Sequence, residues 1–446
     1  MKKLSPYLFF LLILFLSGCA QRDYASQIEE LMDELYREGN FNGAVLVSDN
    51  NELVYSKGFG FANFEKSIPF ETNTTLDAGS MTKTFTALSI HILEHENALS
   101  INDLVVDHIG SFPYNEITIE HLLSHTSGLV AEDFVFSQAE EGKVIDNAFF
   151  LKVITDSVPS LSSKPGSQFQ YNGINYILLA MIIESVSGTS YDKFIKAKIA
   201  GPLQMKDWFL RPARLKDWPK DRTKGYKMVN DSMQVSDSED FEGFYGDCNV
   251  FFSATDLLKW SQSFYKSTII DKTQLNALLE KNNGLSGLNA LHWYALEDKN
   301  QFHFTGHWKG FYSMVYSDTQ RKRSIVYVSN TSIEYWLRPQ LITQLVNILN
   351  DTPEQLTRPN PIVPSKKYIN AASYDVEKLG VIKLTEQDGQ FRLAIGSNSF
   401  NMYEVEENYF YVPSIDLWIW FTDVSEEGLT INCTDIYGIK KGKPLP

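Results

Sequence analysis

The chain has 446 residues, 43% apolar and 13% aromatic, enough to bury a large core and, by length, to form two domains or slightly more. Forty basic against fifty-five acidic side chains leave a net charge of −15, which repels a phosphate backbone and argues against nucleic acid and anionic membrane surfaces as partners. A small neutral or amphipathic substrate fits that balance.

At the N-terminus, Lys2 and Lys3 precede the apolar run Tyr7 to Leu16, which is too short to cross a bilayer as a mature helix, and the small residues Ser17 and Gly18 follow. Leu16-Ser17-Gly18-Cys19 resembles a bacterial lipoprotein lipobox. That implies a signal peptide over residues 1–18, cleavage before Cys19, lipidation of its thiol, and a mature protein anchored in the cell envelope outside the cytoplasm. The alternative is an ordinary signal peptide with an incidental cysteine. Cys248 and Cys433 remain; they pair if the compartment is oxidising, or stand as two separate buried thiols, the reading their wide spacing favours.

After Cys19, Ile28, Leu31, Met32, Leu35 and Tyr36 recur at helical spacing and Gly39-Asn40 ends the pattern. Two β-rich runs around Asp49-Asn50-Asn51 follow as a hairpin, and a helix begins near Ser80 with Phe85, Leu88 and Ile92 along one side. "NYILLAMIIESVSG" reads as a buried helix stopped at Gly188, "ATDLLKWSQSFY" as an amphipathic helix, and "RSIVYVSN" as a strand. Antiparallel strands from both ends of the region, with helices between, predict an α/β (α+β) fold: one antiparallel sheet flanked by helices over residues 19–350. Residues 351–364, with Pro353, Pro359, Pro361 and Pro364, read as a linker, and 365–446 as a small all-β domain, barrel or sandwich, from short aromatic and β-branched runs between turn signals.

"DAGSMTKTFTAL" carries Ser80 and Lys83 one helical turn apart. A serine hydroxyl needs a base within reach, and Lys83 fills that role if burial or positive charge keeps its amine neutral. The free N–H groups of a helix start would then stabilise an oxyanion. The pattern S-x-x-K also occurs at Ser190 to Lys193 and Ser263 to Lys266, and spacing alone favours the plainer reading in which Ser80 caps its helix and Lys83 is solvated.

Context separates the three. "TLDAGSMTKTFTAL", "ITIEHLLSHTSGL", "QYNGINYILLAMIIESVSGTSYDKFI", "GPLQM" and "GDCNVFFSATDLLKW", in this order, resemble the serine β-lactamase-related family, which includes class C β-lactamases, D-alanyl-D-alanine peptidases and esterases. The resemblance implies a β-lactamase/transpeptidase-like fold with the active site between the sheet region and a helical region. It implies Ser80 as nucleophile, Lys83 as its partner and Tyr171 as the proton-transferring Tyr of a Tyr-x-Asn motif. Gly173 stands where that motif has Asn, with Asn172 and Asn175 as nearby substitutes.

The third motif aligns with "HFTGHWKGF": Thr305 and Gly306 are in place, and Phe304 takes the position of a cationic or imidazole group. Strand alternation turns Phe304 and Gly306 toward the cleft, and His303 and Thr305 away. Phe304, Thr305 and Gly306 are the expected substrate-binding residues, and the backbone N–H groups of Ser80 and His307 the expected oxyanion hole. "HILEH", His91 to His95, also matches a zinc-peptidase pattern, but no third ligand is signposted, and His121 and His125 belong to the family stretch; no metal or other cofactor is implied.

The reading is a lipid-anchored serine hydrolase acting on an ester, amide or D-amino-acid peptide. The alternative, motivated by Gly173 and Phe304, is a family member that binds a cell-wall or peptide ligand without turnover.

Overall fold

The structure, a computed structural model, describes residues 23–275 except 168, 221, 230 and 231, residues 294–295, residues 300–353 except 332 and 334–336, residue 356, and the strand residues between 373 and 444. The lipobox and most of the proline-rich segment 351–364 lie outside the described residues. The elements that place the site are helices α1 (Tyr24–Arg37), α2 (Thr82–His95), α3 (Glu132–Phe136), α4 (Gly173–Ser187), α5 (Ala254–Lys266) and α6 (Leu337–Leu349). The strands are β1 (Gly43–Asp49), β2 (Glu52–Phe59), β3 (Tyr294–Ala295), β4 (Gln301–Trp308), β5 (Phe311–Asp318) and β6 (Arg323–Ser329).

The six strands form one antiparallel sheet in the order β3-β4-β5-β6-β1-β2, so strands from the two ends of this region meet at the β1–β6 pair, with Gly43 opposite Ser329. Asp49 pairs with Glu52 across Asn50 and Asn51, whose φ angles of 50° and 67° make the tight hairpin that the Asn-Asn step predicts. Alternation along the strands divides the sheet's two faces. Val45, Val47, Met314, Ile325 and Tyr327 pack under α1 and α6, while Ala44, Leu46, Val315, Val326 and Val328 join the larger core on the other face.

α1 buries Ile28, Met32 and Leu35 as its spacing predicts, whereas Tyr36 is largely exposed and lies beside Phe59 at the edge of the stripe. The larger core contains α2, α4 and α5. Phe85 of α2 stacks between Phe252 and Trp260, at ring separations of 4.4 and 4.1 Å, and fixes the helix that begins beside Ser80. α4 is apolar all round and correspondingly central; it is capped by the Asn172 side chain and ended by Gly188 at φ 68°.

Between Ser373 and Pro444, eight antiparallel strands close into a barrel, one of the two forms that the sequence allows. Its interior is apolar: Leu384, Leu393, Phe410, Ile419 and Ile431 are buried. Cys433 sits buried in this interior and Cys248 in the main core, so the two thiols do not pair with each other. Phe169, from the segment leading into α4, belongs to the same apolar cluster, with its ring 5.7 Å from Phe400, and Tyr171 packs against the cluster's edge.

Candidate active site

Ser80 lies in a 3-10 turn, Gly79–Met81, that runs directly into α2, and its side chain makes no capping bond. The turn is pressed against β4. A side chain at Gly306 would put its Cβ 1.8 Å from the Ala78 carbonyl oxygen, and one at Gly79, where φ is +58°, would meet the His307 backbone nitrogen at 2.7 Å. Glycine at both positions is what lets the turn and strand approach, and the contact brings the backbones of Ser80 and His307 together.

The Ser80 Oγ is 2.8 Å from the Tyr171 Oη, and the Lys83 Nζ donates to the same Oγ at 3.3 Å and to the Asp247 carbonyl at 2.9 Å. Lys83 is 2% exposed and lies 5.1 Å from the centre of the Tyr171 ring, so the solvated-lysine alternative does not hold here. The other two S-x-x-K pairs have no such arrangement. The Ser190 hydroxyl bonds to Asp192, the Ser263 hydroxyl to the Trp260 carbonyl, and Lys193 and Lys266 are exposed.

The electrostatics of Lys83 differ from the neutral amine expected from the motif. Burial pushes its pKa down, but the acidic groups facing it, Tyr171, Asp247, Cys248 and Glu132, outweigh burial and hold it above the usual lysine value. The ammonium form is favoured. Asp247 is buried with one carboxylate oxygen 3.9 Å from Nζ; burial pushes its carboxyl up while Lys83 pulls it down. Glu132 at the start of α3 behaves alike: burial and then Asp247 raise it, and Lys83 lowers it. Asp77, whose carboxylate accepts from the N–H groups of Gly79 and Asn249, shapes the turn before Ser80, and burial raises its pKa to about 7.

Tyr171 is held from behind. The His125 ring stacks on it at 4.6 Å, and the His125 Nδ1 accepts from the Asn172 N–H and from the Asn175 Nδ2, each at 3.1 Å. Asn172 also donates to the carbonyls of Leu129 and Val130, and Asn175 accepts from the Ser127 hydroxyl. Both asparagines are therefore bound to the 125–130 segment, and neither takes the place left by Gly173.

On β4, register places Phe304 opposite Val315 and Gly306 opposite Ser313, on the face toward Ser80, with Thr305 opposite Met314 on the other face. Phe304 does not line an open cleft, however. It is fully buried in the main core beside Phe302, because a large apolar ring at this position gains more from that core than from solvent. His303 is buried too, and burial lowers its pKa to about 3, which keeps the imidazole neutral. Of the "HILEH" pair, His91 is buried with Nδ1 3.2 Å from a Glu94 oxygen, and His95 is exposed at the end of α2. Among the described residues no cluster of three metal-ligating side chains occurs.

Residues 26–347 match the family model described as Beta-lactamase, and the chain belongs to that family. Penicillin-binding protein 4* of Bacillus subtilis (strain 168) is 25% identical over 422 residues, 89% of this chain and 93% of the relative. The fold is similar to that of FmtA from Staphylococcus aureus, with a TM-score of 0.62 and 24% identity over 75% of this chain and 92% of that one. It is also similar to an octameric penicillin-binding protein homologue from Pyrococcus abyssi, with a TM-score of 0.62 and 21% identity, over 93% of this chain and 99% of the homologue. By the family's description and the Bacillus subtilis relative, the family takes in β-lactamases and penicillin-binding proteins, serine hydrolase-like proteins that act on small-molecule or peptide substrates.

Proposed function

We propose that the protein is an extracytoplasmic serine hydrolase that forms an acyl-enzyme on Ser80 with an ester, an amide or a D-amino-acid peptide. The observation that carries this reading is that the Lys83 Nζ and the Tyr171 Oη both lie within hydrogen-bonding distance of the Ser80 Oγ. With Lys83 cationic, the proton path runs through the tyrosine. As the Ser80 Oγ attacks the carbonyl carbon, the Tyr171 Oη takes the serine proton and in the same step gives its own to the departing oxygen or nitrogen, whose bond to carbon breaks, so the phenol stays neutral throughout. The Lys83 ammonium stabilises negative charge developing on the two oxygens, and the N–H groups of Ser80 and His307 are assigned to the carbonyl oxygen. In the second half, water attacks the acyl carbon and gives a proton to Tyr171, which returns its own to the Ser80 Oγ as the acyl bond breaks.

With Phe304 in the core, the third motif offers no cationic side chain to a substrate carboxylate, a contact worth about 1.5–3 kcal/mol. Esters and amides without that carboxylate are therefore the preferred class over penicillins. Gly173 and Phe304 also favour the second reading, a binder without turnover. A fluorescent serine-reactive phosphonate decides between them. The hydrolase reading expects labelling of the wild type and none of Ser80→Ala; an unlabelled wild type, or equal labelling of both, leaves the binder.

The lipid anchor rests on the Leu16 to Cys19 sequence. Cys19→Ala is expected to move the protein from the membrane fraction to the soluble fraction of the cell envelope, and unchanged membrane retention would remove the anchor from the proposal.

A further inference from the structure

The mechanism leaves one group without a role: the carboxyl of Glu132, which enters the site from α3. The Gly173 N–H donates to the Glu132 Oε1. A Cβ built on Gly173 would meet the Glu132 Oε1 at 2.6 Å and the Asp247 Oδ2 at 2.8 Å. Two carboxyls from separate elements thus converge on the volume that a side chain at position 173 would occupy. An asparagine there, the residue of the Tyr-x-Asn pattern, cannot coexist with them unless one carboxyl withdraws. The glycine and the glutamate form a matched pair, a polar group lost from the start of α4 and another supplied from α3.

We propose that Glu132 is a positioning residue that replaces, from α3, the side chain missing at Gly173 and, with Asp247, fixes the charge and place of Lys83 beside Ser80. The inference rests on the hydrolase reading for its kinetic part and on packing alone for the rest. The groups facing this cluster are Lys83, Asp247, Cys248, Tyr171, Tyr176 and Asp133. Two carboxyls beside one ammonium balance in a dry site when the pair retains one proton, and burial raises the pKa of both in that sense. The oxygens that converge at Gly173 are the Glu132 Oε1 and the Asp247 Oδ2, the Asp247 oxygen that also lies 3.9 Å from the Lys83 Nζ.

The test is a cycle of Glu132→Ala, Gly173→Asn and the double variant, read by thermal melting and by the rate of phosphonate labelling, with Glu132→Gln for the pH profile. Gly173→Asn alone is expected to melt well below wild type, because its side chain has no room beside Glu132. The double variant should melt above Gly173→Asn by more than additivity allows. Glu132→Ala should label roughly tenfold more slowly, the scale of losing one charge-assisted contact, and the double should recover most of that loss. At alkaline pH, where the wild-type pair has lost its shared proton, Glu132→Gln leaves one negative charge beside Lys83 instead of two, so the alkaline fall in labelling should move to lower pH, which a merely structural role would not do.

Additive melting temperatures would overturn the inference, as would a Glu132→Gln pH profile that matches wild type. If a single variant does not fold, a cooperative melt in the double supports the pairing and its absence overturns it. An unlabelled wild type sinks the hydrolase reading instead, and the melting cycle then decides the inference on its own.

Discussion

Lys83→Met is expected to abolish labelling of Ser80 and to lower stability by about 3–5 kcal/mol near neutral pH, the usual scale for removing one partner of a buried charge pair. Lys83 is 2% exposed and its ammonium is the counter-charge for Asp247 and Glu132, in a place that water reaches poorly. Methionine keeps much of the volume and none of the charge. Burial then acts on both carboxyls without the lysine to oppose it, and their folded-state pKa values rise further above the unfolded values. The sign follows from proton linkage: a carboxyl with a raised pKa binds more protons folded than unfolded, so its effect is harmless at low pH and increasingly destabilising as pH rises through the acid range toward the raised value. Urea unfolding of wild type and Lys83→Met between acid and neutral pH should give curves that converge at low pH and diverge toward neutrality. A gap that does not change with pH would mean that the carboxyls are not what Lys83 stabilises. Loss of labelling with an unchanged gap would leave Lys83 as a chemical group alone.

Much of this site is legible in sequence because its chemistry is local. Ser80 and Lys83 are one helical turn apart, and the stretch after Tyr171 forms the helix that its apolar run and Gly188 predict. The β1–β2 hairpin is legible for a similar reason: two β-rich runs and the Asn50-Asn51 turn set its pairing within a few residues, whereas β1 and β6 come from opposite ends of the region and are buried on both faces, so no local pattern announces their register. What the sequence withholds is set by contacts between distant segments. Nothing adjacent to Glu132 or Asp247 marks either as a neighbour of Lys83, and they meet at Gly173 only because α3, α4 and the loop before the Val250–Ser253 strand converge there. The charge of Lys83 follows from that convergence, so an expectation based on the motif alone goes to the neutral amine. Phe304 is a related case. Alternation gives its face correctly, but whether that face opens to a cleft or closes into a core depends on Phe302 and the helices packed over it. The barrel's closure and the seating of Phe169 within it are likewise beyond any short-range signal.

The second large effect is expected at Phe169. Its ring is buried with the barrel's interior side chains and lies 5.7 Å from Phe400, while two residues further on Tyr171 must hold its hydroxyl 2.8 Å from the Ser80 Oγ. Over so short a span the backbone transmits any shift of the anchor. The opposite side of Tyr171 is fixed by the His125 ring, so the phenol is clamped between the main core and the barrel. Phe169→Ala removes a buried aromatic ring and should cost about 3–5 kcal/mol, read as a fall in the urea midpoint. It should also slow labelling by up to about a hundredfold, since a displacement of ~1 Å in a reacting group has effects on that scale. Phe169→Leu keeps an apolar plug of reduced volume and should retain most of both properties. Phe400→Ala, made from the barrel side and remote in sequence from every catalytic candidate, should reproduce the slower labelling in a smaller degree. If Phe169→Ala remains folded and labels at the wild-type rate, the barrel is a passive neighbour and Tyr171 is positioned by His125 and the start of α4 alone. If labelling falls while the barrel's own melting is unchanged, the contact serves the site rather than the stability of the domain that provides it.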